Sequence, residues 1–204
     1  MDDQEKLHPG HHSIRLPGRD YSAPGLYFVT ICTHEKVCIL GNRNGEHLES
    51  SRLGQIVHET WIAIPNHFPQ VNLHDFVIMP NHLHGLIQIA RQVGAQHAAP
   101  LQPTNTTNQP HPAVRPGSLG AIVRSFKAAA TLRARRELAW KNELWQRNYF
   151  ERVLRDGQEF SDATRYIREN PLKWALDSEN PKATRDGKPS LVGAQHAAPL
   201  PPRR

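Results

Sequence analysis

The chain has 204 residues, of which 38% are hydrophobic and 22% charged, with a formal net charge of +6. This suits one soluble domain with a real core and polar tails, and no apolar run approaches the roughly 20 residues of a helical membrane span. The basic balance favours a polyanionic partner, nucleic acid first. The two cysteines, Cys32 and Cys38, have no metal-ligand spacing, which argues against a disulfide scaffold and fits a reducing cytoplasm.

The opening MDDQEKLHPGHH is polar and unlike a signal peptide. Residues 1–19 are expected to form a basic arm, in which Arg15 and Arg19 could add electrostatic affinity. Gly25 to His34, rich in aromatic and β-branched residues, reads as a first strand, followed by a Gly/Asn/Arg turn region at 41–46. Over 51–64, Leu53, Ile56, Val57, Trp61 and Ile64 make one helical stripe that Pro65 is expected to end. Two strands follow, about Leu73–Met79 and His82–Ala90, joined by Pro80-Asn81 as an antiparallel hairpin. Residues 91–117 are rich in Pro, Gln, Asn, Thr and Gly, lack periodicity and read as a flexible loop. Ser118 is placed as the N-cap of a helix through Leu119, Ile122, Val123, Phe126 and Ala130 to about Leu138. Leu144 to Leu154 reads as another strand. Asp156 and Glu159 form a capping box that opens a third helix, expected to stop at Asn170 because Pro171 follows. A Pro-rich basic tail over 178–204 ends in PPRR. The order β-α-β-β-α-β-α predicts an α+β sandwich, an antiparallel sheet with packed helices of the ferredoxin-like kind, spanning about 20–177.

The nonapeptide VGAQHAAPL occurs at Val93–Leu101 and again at Val192–Leu200. Neither copy has core periodicity, and the spacing is far too long for a solenoid. A short genomic repeat translated twice in frame is the preferred origin. Free divergence of the two copies at third codon positions would exclude it.

The hairpin segment DFVIMPNHLHGLIQIA carries the main chemical signal. On a strand, His82 and His84 share a face with Leu86 and Gln88, while Leu83, Ile87 and Ile89 turn to the core together with Gly85. The histidine face is expected to be mainly polar. Two imidazoles side by side can converge on one divalent cation. In a chain with thirteen histidines the pair alone is a weak signal, and His11-His12 is an example without such meaning. The segment SDATRYIRENP adds partners. Tyr166 and Asn170 are one helical turn apart, beside a docking stripe of Phe160, Ala163 and Ile167. A hard amide oxygen beside two imidazoles suits Mg²⁺ or Mn²⁺ better than structural zinc. A cation near Tyr166 would favour the phenolate, since a free phenol titrates near pH ~10 and is a poor nucleophile. Tyr149 is the rival nucleophile, with aromatic packing beside Phe150 its simpler role.

MPNHLHG, GSLGAIVRSFK, LWQRNYFERVLRD and YIRENP, with the opening HHSIRLPGRDYSAPGLYFVTICT, together resemble the REP-associated tyrosine transposases, single-tyrosine HUH endonucleases. The resemblance is collinear from about residue 11 to 177. It implies His82 and His84 as metal ligands, Tyr166 as nucleophile and Asn170 as third ligand, with Mg²⁺ or Mn²⁺ as cofactor. It implies cleavage and strand transfer of single-stranded DNA beside short imperfect hairpins, through a 5′-phosphotyrosine link that frees a 3′-OH. In the segment where many members have a histidine after the acidic residue, this chain has Arg152, and Phe150 replaces a frequent tyrosine.

Arg124, Lys127 and Arg135 are expected to form a stripe on the second helix that tracks phosphates, with Arg152 a further DNA contact. Trp145, Tyr149 and Phe150 could stack on unpaired bases. Three alternatives are weighed: a hairpin-DNA-binding protein with weak catalysis, an HUH replication initiator or relaxase, and a basic structural protein with incidental histidines, which the collinear motifs disfavour. A cytoplasmic location, no membrane partner and either a monomer or a homodimer complete the expectations.

Overall fold

The computed structural model describes residues 23–44, 47–90, 115–174 and 180, with backbone alone at 43–44, 47, 184–185 and 188–189. The 1–19 arm, nearly all of the 91–117 loop and of the 178–204 tail, and both VGAQHAAPL copies lie outside the described residues.

Strand β1 (Gly25–Cys32) leads through a 3-10 turn at His34–Lys36 to a hairpin of β2 (Gly41–Asn44) and β3 (His47–Ser50). Residues 41–44 are thus one strand of a paired ribbon rather than part of a simple turn, because residues 47–50 return along them. Helix α1 (Arg52–Ile62) opens on Ser51, whose Oγ accepts from the Gly54 N–H at 3.0 Å. Pro65 does not end the helical region. It lies in the first turn of the short helix α2 (Ile64–His67), where its missing N–H leaves no bond unmade.

Strands β4 (Val71–Met79) and β5 (His82–Ile89) form the expected hairpin, with a bulge between Leu73 and Phe76. Helix α3 (Leu119–Leu138) starts at Ser118, whose Oγ accepts from the Ala121 N–H. Strand β6 (Phe150–Leu154) precedes helix α4 (Gly157–Lys173), and a two-residue pair, β7 (Thr184–Arg185) and β8 (Lys188–Pro189), follows. Among the described residues no helix is long and apolar enough to cross a membrane.

Two expected boundaries are corrected. Residues 144–149 are not part of a continuous strand with β6, and Trp145 makes only an isolated bridge to Thr33. The ammonium of Lys127 on α3 draws the carbonyls of Gln146 and Asn148 towards itself, which removes them from a ladder. At the other end, α4 runs through Pro171 to Lys173, and Trp174 still has helical angles. Proline removes one intrahelical bond, but Trp174 is buried against His82 and so holds the chain on its helical course.

The main sheet has the order β4-β5-β1-β6 and is antiparallel throughout, the α+β ferredoxin-like arrangement. One face carries Tyr27, Val29, Ile31, Leu83, Ile87 and Ile89, covered by α1 and α3 through residues such as Val57, Trp61, Ile122 and Phe126. The other carries Phe28, Leu86 and Leu154, covered by Ala163 and Ile167 of α4. The histidine face is therefore not mainly polar. Read alone, β5 does not reveal the apolar side chains that β1 and β6 add beside it. Arg52 and Arg133 interleave with Glu59 and Glu137 at 2.6 to 3.6 Å and tie the exposed sides of α1 and α3 together.

Gly85 directly follows His84 on β5, on the opposite face, and faces Trp61. A Cβ there would stand 2.4 Å from the Trp61 ring. Gly85→Ala should therefore cost about 1–3 kcal/mol through overpacking, measured by urea unfolding. Unchanged stability would mean that Trp61 can move.

Candidate active site

The site grows from the cross-strand register of two strands. In the antiparallel pair β1–β5, Thr30 stands opposite His84 and Cys32 opposite His82. Paired residues share a face, so both imidazoles lie beside Thr30 and Phe28 under α4. Both are fully buried, and their Nε2 atoms are 3.0 Å apart. Each second ring nitrogen is also held: His84 Nδ1 lies 2.8 Å from Thr30 Oγ1, and His82 Nδ1 lies 2.8 Å from Asn81 Oδ1. Asn81 is oriented in turn, since its Nδ2 donates to the Lys36 carbonyl at 3.0 Å. The backbone carbonyl of Asn81 accepts from Thr33 N–H and Oγ1–H, both at 2.9 Å. The tight turn beside it places Glu35 and Lys36 at positive φ, 51° and 55°. That backbone conformation costs about 1 kcal/mol or more for a residue with a side chain.

Helix α4 brings its face down on this pair. The Tyr166 ring lies 5.2 Å from the His84 ring and 5.8 Å from Phe28. One turn on, Asn170 is buried, and its Oδ1 has no hydrogen-bond partner among the described residues. A further turn on, Trp174 lies 5.9 Å from the His82 ring. Positions 166, 170 and 174 fall on one helical face, so Asn170 is bracketed by residues that touch each histidine in turn. The stripe of Phe160, Ala163 and Ile167 docks α4, supported by Arg168 on Asp75 at 2.7 Å.

The donor chemistry fits a hard divalent cation. Two imidazole nitrogens face one another, and the buried amide oxygen of Asn170 on the facing helix has no partner among the described residues. An unsatisfied buried acceptor costs about 1–3 kcal/mol, which a cation would offset. No group of three His, Cys, Asp or Glu gathers for a metal among the described residues, so a third ligand beside this pair would be of another kind, and the amide oxygen of Asn170 is a candidate.

The expected DNA contacts are arranged differently from one stripe. Arg124 and Arg135 are exposed on α3, whereas Lys127 is half-buried with Nζ 2.7 and 2.9 Å from the Gln146 and Asn148 carbonyls. Burial pushes the Lys127 ammonium down to about 8. Its role in the fold is to fasten the 144–149 segment, helped by Trp145 Nε1 donating to the Lys127 carbonyl. Arg152 pairs at 3.5 Å with the buried Glu159, whose other oxygen accepts from the Arg155 N–H. Trp145 is buried and packs on Phe126; Tyr149 packs against the main core, and both it and Phe150 are half-buried. Helix α3 covers the sheet face opposite Tyr166. The arginines on the tyrosine's own helix are Arg165 and Arg168, both exposed and each paired with an aspartate.

Sequence reading alone did not single out Thr30, Asn81 or Trp174. Asn81 had a usable signal, standing directly before His82 at the mouth of a tight hairpin. Thr30 required the register of a strand more than 50 residues away.

The buried histidines make the fold sensitive to acid. Burial pushes His84 from 6.5 down to about 3, and His82 is held well below its ordinary value by burial, then by His84 and Lys36. The unfolded chain therefore takes up protons that the folded chain refuses. Stability is full above about pH 6.5 and is lost as pH falls towards about 3. His84 alone should cost about 2 kcal/mol between pH 7 and 5. Urea midpoints should fall over that range in wild type and fall less steeply in His84→Gln. Equal slopes would show that His84 is not buried in neutral form.

No protein-family model matches the chain. It is 41% identical over 169 residues to an uncharacterized protein of Haemophilus influenzae, covering 82% of this chain and 92% of that one. Among solved structures it is similar to a REP-associated tyrosine transposase bound to a REP hairpin, with a TM-score of 0.51 and 16% identity, covering 76% of this chain and 72% of that one. The chain therefore belongs to one family with the Haemophilus influenzae protein, and its fold is that of the REP-associated tyrosine transposase.

Proposed function

We propose that this protein is a metal-dependent DNA strand transferase that cuts and rejoins single-stranded DNA beside a short hairpin, with Tyr166 as nucleophile. The observation that carries the reading is the seating of Tyr166 against His84, above two imidazoles whose Nε2 atoms are 3.0 Å apart. His82, His84 and Asn170 would hold Mg²⁺ or Mn²⁺, which when bound polarises a phosphodiester oxygen and stabilises charge in the transition state. The hairpin substrate is suggested by the structural relative, which is bound to a REP hairpin.

The chain's own groups then have distinct tasks. Tyr166 Oη attacks phosphorus in line, forming a 5′-phosphotyrosine bond as the bond to the 3′-oxygen breaks. The new ester conserves the energy of the one broken, so rejoining to another 3′-OH needs no nucleotide cofactor. Phe28 and His84 fix the tyrosine ring from below, which limits its rotamers and so the entropy lost at attack. The exposed Arg124 and Arg135 would contact phosphates on the α3 side. Arg152, already paired with Glu159, acts on DNA only if that pair opens.

The test is incubation of the full chain with Mg²⁺ or Mn²⁺ and single-stranded oligonucleotides from the repeats flanking its gene. A covalent protein–DNA adduct should form, vanish in Tyr166→Phe and persist in Tyr149→Phe. The reverse pattern would overturn the choice of nucleophile. An adduct with no oligonucleotide, despite hairpin binding, would favour the binding-only alternative.

A further inference from the structure

The hydrogen bonds around the two histidines determine where each proton sits. Asn81 Nδ2 donates to the Lys36 carbonyl, so its Oδ1 faces His82 and can only accept. His82 therefore carries its proton on Nδ1 and presents a bare Nε2. The 3.0 Å contact between the two Nε2 atoms then requires the hydrogen to come from His84. With Nε2 protonated, neutral His84 has a bare Nδ1, which must accept from the Thr30 hydroxyl at 2.8 Å. The chain of donors runs one way, from Thr30 through His84 and His82 to Asn81.

That arrangement satisfies the pair without a cation, but only one of the two facing nitrogens is ready to bind one. His82 is fixed in the ligating tautomer, whereas His84 is in the other. To free its Nε2, His84 must carry its proton on Nδ1, and the only described side-chain oxygen bonded to that nitrogen is Thr30 Oγ1. A hydroxyl can fill both roles, because it has one hydrogen and two lone pairs. A carboxylate or a carbonyl there would lock one tautomer.

We infer that Thr30 is a positioning residue that switches the tautomer of His84, donating to Nδ1 while the Nε2–H of His84 faces His82 and accepting from Nδ1–H when Nε2 holds the cation. The proton leaves Nε2 and is regained at Nδ1 by exchange with solvent. The number of protons on the pair does not change. This inference rests on the proposed metal site, and it places a residue of β1 behind ligands drawn from β5 and α4.

Two measurements on the full-length chain test it. The first is ¹⁵N NMR of the histidine rings. His84 should be protonated at Nε2 without metal and at Nδ1 with saturating Mg²⁺. A metal-free His84 protonated at Nδ1 overturns the inference. The second is titration with Mn²⁺, following free ion by EPR. Thr30→Val keeps the shape of the side chain but removes the hydroxyl, and should weaken binding by about 10- to 100-fold, as loss of a partner to a metal-bound imidazole does. Thr30→Ser should bind within about threefold of wild type, because it restores the hydroxyl. Equal affinity of wild type and the valine variant overturns the inference while leaving the metal site intact. Failure of wild type to bind Mn²⁺ at all sinks the metal reading instead, and Thr30's part as switch with it. Should the valine chain not fold, the NMR assignment and the serine variant decide.

Discussion

Everything in this molecule is arranged around two neutral imidazoles facing each other at 3.0 Å inside the protein. Removing a histidine from water favours its uncharged form and demands a partner for every ring nitrogen. The fold meets that demand from three directions. Thr30 on β1 meets one ring, Asn81 at the hairpin bend meets the other, and α4 closes the space above them. The strained turn at Glu35–Lys36 has a place in the same scheme, because its carbonyl orients Asn81.

The sheet has two faces of unequal chemistry. The face under α1 and α3 is a large hydrophobic core whose anchor is Trp61, and its demands explain the missing side chain at Gly85. The face under α4 combines a smaller apolar cluster with the polar centre. Strand alternation links the two, since β5 must serve both at once. Leu83 and Ile87 hold the strand in the core, and this aims His82 and His84 the opposite way.

Much of this was legible in the amino-acid sequence because it depends on local periodicity. The alternation in HLHGLIQI and the stripe of Phe160, Ala163 and Ile167 both specify which residues share a face, and the structure has them so. What escaped was set by distant parts of the chain. The carbonyls that Lys127 fastens lie about 20 residues further on, which its place in the α3 stripe does not reveal. The strand expected from Leu144 was broken by that same ammonium. Pro171 suggested a helix end, and the burial of Trp174 overrode it. The sheet's share of the second apolar cluster was hidden because each strand adds only one or two residues to it.

The division into two cores has an energetic consequence. The cluster under α4 is held by few apolar side chains, while the opposite core spans α1, α3 and most of the sheet. Free energies of partial opening scale with the buried contacts released. Lifting α4 therefore requires much less work than melting the domain, and it would carry Tyr166, Asn170 and Trp174 away together. The tyrosine stands on the side held by the smaller cluster, and what it would leave behind is a sheet on which the two histidines keep their Thr30 and Asn81 partners.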